Sequence, residues 1–142
     1  MNETKKASFD FENYKINSFS FNDVDNDHSE LSVKFEPKGE YDTKSGLFIL
    51  TFSFKAFLND GKSELLNVIL KANFKFREVV SLEDIPSYFY RNSIAIVFPY
   101  LRAFVTTLTA IGNTKPLILP VLNLTGLEQP FKDNTKIIDN LA

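Results

Sequence analysis

The side chains best suited to chemistry in this chain lie in one short acidic stretch. Asp23, Asp25 and Asp27 alternate there, as the first ligands of an EF-hand calcium loop do. That loop also needs Gly at its sixth position and a bidentate Glu at its twelfth, where this chain has His28 and Lys34. We therefore interpret the stretch as a solvated loop between strands, and we expect no metal site in it.

The remaining polar residues give little support for covalent catalysis. His28 is the single histidine and lies far in sequence from any Ser on a predicted rigid element, so no Ser-His-Asp triad is expected. Glu83 and Asp84 could act as acid and base, but adjacent acids at a helix start usually interact with the helix dipole. The sequence has no Cys, which excludes a thiol nucleophile and a thiolate zinc site. It predicts a protein that is not an enzyme and needs no cofactor.

The most unusual feature of the composition is the number of phenylalanines. The chain of 142 residues has 15 Phe and 5 Tyr, with no Trp. Phe has no polar group, so these rings serve a core, an interface or an apolar groove. One core of this size does not readily hold so many rings, so we predict oligomerisation or the binding of apolar polypeptide. The net charge of -2 and the scattered Lys and Arg argue against nucleic-acid binding.

The ends of the chain and its longest apolar run indicate where the protein works. Residues 1–8 are polar and have no apolar stretch of the kind found in a signal peptide. The apolar run at 94–101 is too short to span a bilayer and is followed by Arg102, so no membrane insertion is expected. We predict a cytoplasmic protein that forms one domain over residues 1–142, with flexible ends at 1–8 and about 132–142.

The first half of the chain predicts an antiparallel sheet. Residues 9–21 have a strand pattern whose parity changes twice, which indicates a bulge or a bend. Residues 31–35 alternate apolar and polar side chains, as a half-buried strand does, and a turn is expected at 37–45. Two long alternating segments, 47–58 and 64–77, are joined by an Asn-Asp-Gly sequence that is typical of a tight hairpin.

The second half predicts one long helix and a shorter one. Apolar residues recur at helical spacing over 94–111, and Gly112 is a natural C-terminal cap. Because Pro99 lies inside that pattern, the helix either begins near Pro99 or kinks there. A short helix is possible further on, where Gly126 and Pro130 are expected to interrupt it.

A set of residues in this second half resembles the SecB protein-export chaperones. Phe98, Pro99, Tyr100 and Arg102 match the FPYxR motif of that family, Gly112 matches its helix-ending glycine, and Pro120-Val121 match its PV dipeptide. The resemblance implies an α+β fold, in which a four-stranded antiparallel sheet packs against one long helix and is followed by a short C-terminal helix. It also implies a homotetramer, a dimer of dimers, that holds unfolded export precursors in apolar surface grooves without ATP.

The resemblance also implies roles for particular residues. Client contacts fall on Leu31, Val33, Phe35, Leu124 and Leu127. The long helix would build the oligomer interface through Phe98, Tyr100, Leu101, Val105 and Leu108. Contacts to the translocase motor SecA fall on Ser18, Asn22, Leu65 and Asn67. The family has acidic residues at three of these docking positions, whereas Ser18, Asn22 and Asn67 are uncharged, so docking of SecA is expected to be weakened.

Two other functions are compatible with the same residues. The protein could be a dedicated chaperone of a single client, such as an antitoxin. It could also be a non-chaperone oligomeric interaction domain, or a domain that binds an apolar ligand, because a fold alone does not determine function.

Overall fold

The fold was obtained as a computed structural model, which describes residues 8–23, 30–58, 61–112, 117, 119 and 124–138. The strands are β1 (Phe9–Phe21), β2 (Ser32–Tyr41), β3 (Leu47–Leu58), β4 (Ser63–Phe76) and β5 (Thr135–Ile137). The helices are α1 (Ser87–Ile111) and α2 (Glu128–Asp133), with 3₁₀ turns at Leu82–Asp84 and Leu124–Leu127. The strand order in the sheet is β1-β4-β3-β2-β5.

The α+β class is confirmed, but the prediction of a four-stranded antiparallel sheet is wrong. β5 adds a fifth strand, and it runs parallel to β2, with Gly39 paired to Thr135 and Tyr41 paired to Ile137. Residues 132–138, which were expected to be flexible, form the end of α2 and strand β5. A three-residue strand has too little periodicity to be recognised in a sequence, since its partner supplies the pairing.

The β3–β4 hairpin is confirmed, and it supplies one wall of the core. The even-numbered residues of β3, and those of β4 from Leu66 onward, are buried, while the odd-numbered ones remain partly exposed. α1 lies on the buried face, where Phe89 contacts the rings of Phe48 and Phe74. Gly61 in the connecting turn has a φ of 79°, a conformation that favours glycine.

The irregularity predicted in β1, a bulge or a bend, takes the form of two register shifts in its pairing with β4. The register shifts between Phe11 and Asn13, and again between Ile16 and Ser18. Each extra residue reverses the parity of the strand, so all of the apolar side chains face the same way. These are Phe9, Phe11, Tyr14, Ile16, Phe19 and Phe21, each of which pairs with a buried residue of β4. The bulges therefore keep the edge strand packed against α1.

Two elements are longer than the sequence predicts. β2 continues past Pro37 to Tyr41, and the turn that follows is held by Asp42, whose carboxylate accepts hydrogen bonds from Lys44 N and Ser45 Oγ at 2.9 Å each. Proline is tolerated in β2 because this strand has no antiparallel neighbour beyond it. α1 begins at Ser87 rather than near Pro99, whose exposed ring lies on the side of the helix away from the sheet. Packing of the buried face therefore outweighs the helix-breaking tendency of the proline.

The pairing of β5 with β2 depends on the absence of a side chain at Gly39. A Cβ atom at this position would lie 2.5 Å from Phe48 Cζ and 2.6 Å from Thr135 Oγ1. Thr135 Oγ1 donates a hydrogen bond to Phe131 O at 2.7 Å, and Phe131 is buried against Phe48 and Tyr90. Burial raises the pKa of Tyr90 to about 12, so its hydroxyl stays protonated at physiological pH. Gly39 thus allows α2 and β5 to close the core at this edge.

Gly39→Val should therefore detach the C-terminal segment and destabilise the domain. Overpacking of this kind lowers the free energy of unfolding by about 1–3 kcal/mol, and we expect faster proteolytic cleavage after residue 127. Thermal unfolding and limited proteolysis measure the two effects. Gly126→Val is the matched control, because nothing lies within 4 Å of a Cβ placed there. Equal melting temperatures for the two variants would contradict this role of Gly39 in the pairing of β5.

Candidate polypeptide-binding site

The start of β2 exposes apolar side chains at an uncovered part of the sheet. Leu31 and Val33 are 38% and 40% exposed, whereas Phe35 is half-buried. Val33 pairs with Ala56 and Phe35 with Phe54, both of which face α1, so Val33 and Phe35 lie on the helix side of the sheet. These residues form an apolar strip that begins at the surface and runs inward to the core.

Phe35 joins this strip to the core. Its ring centroid lies 5.1 Å from that of Phe54, 5.7 Å from that of Phe52 and 6.0 Å from that of Phe98. Contacts of this kind stabilise the protomer itself. Phe35 therefore supports the floor of the strip, and Leu31 and Val33 provide the apolar surface that a second molecule would meet first.

The backbone at the start of β2 has hydrogen-bonding groups that no described strand pairs with. Asp42 N donates to Leu47 O, whereas Gly39 N donates to Asn134 O and Tyr41 O accepts from Ile138 N. The β2–β3 register has no shift, so the odd-numbered residues of β2 direct their backbone groups away from β3. Val33 and Phe35 consequently present N–H and C=O groups at an edge that no described strand covers. An extended polypeptide can add to such an edge.

Pro37 divides this edge of β2 into two segments that can pair with another strand. Its backbone points away from β3, like the backbones of Val33 and Phe35, but its nitrogen has no N–H to donate. On one side of Pro37, residues 39–41 pair with β5; on the other, residues 32–35 have no second strand partner in the described part of the chain. Pro37 was expected in a turn, and the signal in the sequence that favours a strand instead is the tolerance of edge strands for proline.

The 3₁₀ turn at Leu124–Leu127 packs on the helix side of the sheet. The turn contacts both β2 and α1, and both leucines are half-buried against the core. They therefore lie on the same side of the sheet as Val33, as a shared apolar surface requires. The preceding segment is held to α1 at Leu117, whose N–H donates to Thr109 Oγ1 at 2.8 Å and whose C=O accepts from Thr106 Oγ1 at 3.1 Å.

Comparisons with solved structures decide the fold. The SecB-like chaperone Rv1957 of Mycobacterium tuberculosis, solved in complex with a ChAD peptide from the Rv1956 HigA1 antitoxin, superimposes with a TM-score of 0.68. The alignment covers 81% of this chain and 88% of that one, at 17% sequence identity. The chain has a SecB-like fold.

Other comparisons give weaker matches to this SecB-like chain. It is 37% identical to the uncharacterized protein MJ0357 of Methanocaldococcus jannaschii over 67 residues, which is 43% of this chain and 43% of that protein. The chain thus matches less than half the length of this relative. A protein of unknown function from Streptococcus agalactiae aligns over 80% of this chain and 98% of its own, with 10% identity and a TM-score of 0.48. No family model matches the chain.

The residues expected to build an oligomer interface divide into two groups in this SecB-like protomer. Phe98, Leu101 and Val105 are buried against the sheet within one chain. Tyr100 is 41% exposed and Leu108 is half-buried, so both can reach a second molecule. Whether any of the five contributes to an interface stays a prediction.

The positions expected to dock SecA lie together at one end of the sheet. Ser18 and Asn67 are on the face directed away from α1, whereas Leu65 lies at a register shift between β3 and β4 and packs partly against the core. Asn22 is joined to this end by a hydrogen bond from its backbone N to Leu65 O at 2.9 Å. None of them has a charged side chain, and Asn67 Oδ1 is buried with no hydrogen-bond partner among the described residues. Their role in docking stays a prediction.

Other candidate chemistry finds little support in the described residues. Most of the acidic stretch around His28 lies outside the described residues. In the part of the chain that the structure describes, no group of three or more His, Asp or Glu could hold a metal ion. The bidentate Arg77–Asp10 ion pair, with a shortest distance of 2.7 Å, lowers the pKa of the Asp10 carboxyl chiefly through its hydrogen bond, but it is exposed.

α1 also has the length and composition of a membrane span. It has 25 residues, and its mean hydropathy reaches 1.7 in one window. The shorter apolar run at 94–101 lies within this helix. One third of the window is buried, where one side of α1 packs against the sheet.

Proposed function

We propose that this SecB-like protein is an ATP-independent holdase chaperone that binds unfolded polypeptides, including export precursors, in the cytoplasm. The observation that carries the proposal is the edge at the start of β2, where exposed Leu31 and Val33 accompany backbone groups that pair with no strand among the described residues. The M. tuberculosis neighbour was solved with a peptide bound, which supports a polypeptide as the ligand class.

The edge suits a client that has no fixed sequence. Backbone groups of Val33 and Phe35 pair with any extended chain, because every residue except proline offers the same donor and acceptor. Leu31, Val33, Leu124 and Leu127 then bury apolar client side chains, and this burial drives binding. No bond is made or broken, so the protein needs neither a cofactor nor a nucleotide.

A single edge of this size would bind weakly. Burying one aliphatic side chain completely contributes roughly 1.5–3 kcal/mol, and Leu31 and Val33 are already more than half-buried. Several such edges on one particle raise the affinity for a long client, because the second contact is intramolecular. This requirement supports the proposal that the protein acts as a homotetramer, a dimer of dimers.

The exposed side of α1 supports assembly. A row of small, uncharged residues runs along it, where a solvated helix usually has charged side chains. The row consists of Ala95, Pro99, Ala103, Thr107 and Ala110, all of them exposed. We propose that another copy of the chain covers this row, with Tyr100 and Leu108 at its side.

A dedicated chaperone of one client, such as an antitoxin, is the second candidate. It is favoured by the antitoxin peptide bound to the M. tuberculosis neighbour. The uncharged Ser18, Asn22 and Asn67 also favour this candidate, because they weaken electrostatic docking of SecA. A non-chaperone interaction or apolar-ligand-binding domain on this fold is less favoured, since the exposed apolar strip lies at a strand edge that can pair with another chain.

Suppression of aggregation tests the function directly. We expect the protein, without ATP, to keep several chemically unfolded substrates soluble at stoichiometric amounts. Light scattering measures this, with an equal mass of an inert protein as the control. Activity toward one substrate alone would favour the dedicated chaperone, and no effect on any of them would overturn the proposal.

A further inference from the structure

The face of the sheet directed away from α1 has a row of lysines. Lys15 of β1 pairs with Lys71 of β4, and Lys71 pairs in turn with Thr51 of β3. Thr51 pairs with Lys38 of β2, so the row crosses all four antiparallel strands. The neighbours of these positions along each strand, such as Leu70 and Phe52, are buried beneath α1, so the row itself faces outward. We call Lys15, Lys71 and Lys38 the lysine row.

Lys15 and Lys71 have no ion-pair partner within the described part of the chain, whereas Lys38 interacts with the nearby Glu36. Like charges directly opposite one another on adjacent strands are destabilising, with Cβ atoms only about 4.5–5.5 Å apart. No described carboxylate forms a salt bridge with a lysine of the row; the ion pairs are Lys34–Glu36 and Arg77–Asp10. Glu36 is already engaged: its pKa is lowered chiefly by the hydrogen bond from Lys34 and further by Lys55 and Lys38.

A groove beside Lys15 and Lys71 provides donors for an anionic group. It has a volume of about 450 Å³ and is lined by Asn13, Lys15, Ile49, Lys71 and Asn73. Asn73 Nδ2 donates to Asn13 Oδ1 at 2.9 Å, which leaves the amide NH₂ of Asn13 as a donor. Two ammonium groups and a fixed pair of amides suit carboxylates, since hydrogen bonds between charged partners are the stronger ones.

We infer that the lysine row and its groove dock an acidic polypeptide segment, a run rich in Asp or Glu, at a site separate from the β2 edge. Acidic residues at alternate positions of an extended chain lie about 6.8 Å apart on one side, and the long, flexible side chains of Lys15 and Lys71 can span the difference from the strand spacing of about 4.8 Å. A long nucleic acid is disfavoured, because the chain has a net charge of -2 and Glu36 and Glu40 flank Lys38 along β2. The site thus recognises charge where the β2 edge recognises apolar side chains.

Fluorescence anisotropy with a labelled peptide of alternating Glu and Ser tests the inference. We expect saturable binding at roughly 50 mM salt that is lost at about 500 mM, because exposed charges are screened. A peptide of alternating Gln and Ser should not bind. Lys15→Gln/Lys71→Gln should weaken binding about tenfold, while Lys15→Arg/Lys71→Arg keeps it. The matched control is Lys44→Gln/Lys132→Gln, which removes two exposed lysines from elsewhere on the surface.

Each outcome of this experiment decides the inference. An absence of binding by the parent protein, or an equal loss in the control variant, would overturn it, as would displacement of the peptide by a short single-stranded DNA. Melting temperatures check the fold, and Lys15→Gln/Lys71→Gln should not lower them, because it removes a like-charge pair. Neither peptide has apolar residues, so Val33→Asp should leave acidic-peptide binding unchanged even if the holdase proposal fails.

Discussion

Val33→Asp abolishes the suppression of aggregation while the protein remains folded. Val33 is 40% exposed at the open edge of β2, so a carboxylate there can stay hydrated in the free protein. When a client covers the edge, that carboxylate loses water without gaining a partner. We expect this to oppose binding by at least about 1.4 kcal/mol at each edge, which is a tenfold loss of affinity. Several edges acting together multiply the loss.

Val79→Asp is the matched control for this variant. Val79 is 46% exposed, similar to Val33, but it lies between β4 and α1, away from the β2 edge. Light scattering of an unfolded substrate should show normal protection by Val79→Asp and none by Val33→Asp. If both variants protect equally, the edge of β2 is not the client site. Phe35→Asp is less informative, because it would also place a charge against Phe54 and Phe98.

Ala103→Glu separates the assembled particle into smaller species. Ala103 is exposed in the middle of the uncharged row on α1, and Glu is a good helix former, so the protomer itself should tolerate the change. If another copy covers the row, a carboxylate is buried there without a partner, which destabilises an interface by several kcal/mol. Native mass measurement should therefore report a tetramer for the parent protein and dimers or monomers for the variant.

Ser87→Glu provides the control for assembly. It adds the same charge to the same helix at its exposed first residue, where the helix dipole favours an anion. Its mass should equal that of the parent. A parent protein that is monomeric across the concentration range, or an Ala103→Glu variant with unchanged mass, would show that α1 is not an assembly surface. The holdase assay on the same samples then reveals whether assembly is needed for protection.

The elements that depend on local patterns were predictable from the sequence. In β3 and β4 the alternation of side chains spans more than ten residues, so only one face can be buried in a stable sheet. The irregularity in β1 followed from the same rule, since the apolar residues change parity and yet must all reach the core. The candidate strip at Leu31 and Val33 came from that alternation together with the SecB resemblance, and its role in client binding stays a prediction.

Features that depend on distant neighbours were not predictable. β5 forms because Gly39, nearly a hundred residues earlier, leaves room for Thr135 and Phe48. Pro37 belongs to a strand only because it lies on the side of β2 that has no antiparallel partner. The lysine row likewise exists only through cross-strand register, since Lys15, Lys38 and Lys71 are far apart in the chain.

The amino-acid sequence by itself determined the α+β class, the faces of the long strands and the apolar character of α1, because hydrophobic periodicity is a property of consecutive residues. Only the tertiary structure decided which residues remain accessible. It buried Phe98, Leu101 and Val105 and left Val33 and Ala103 exposed, although all of them are apolar. Burial depends on which elements meet and at what register, and those contacts join residues whose separation along the chain has no local signature.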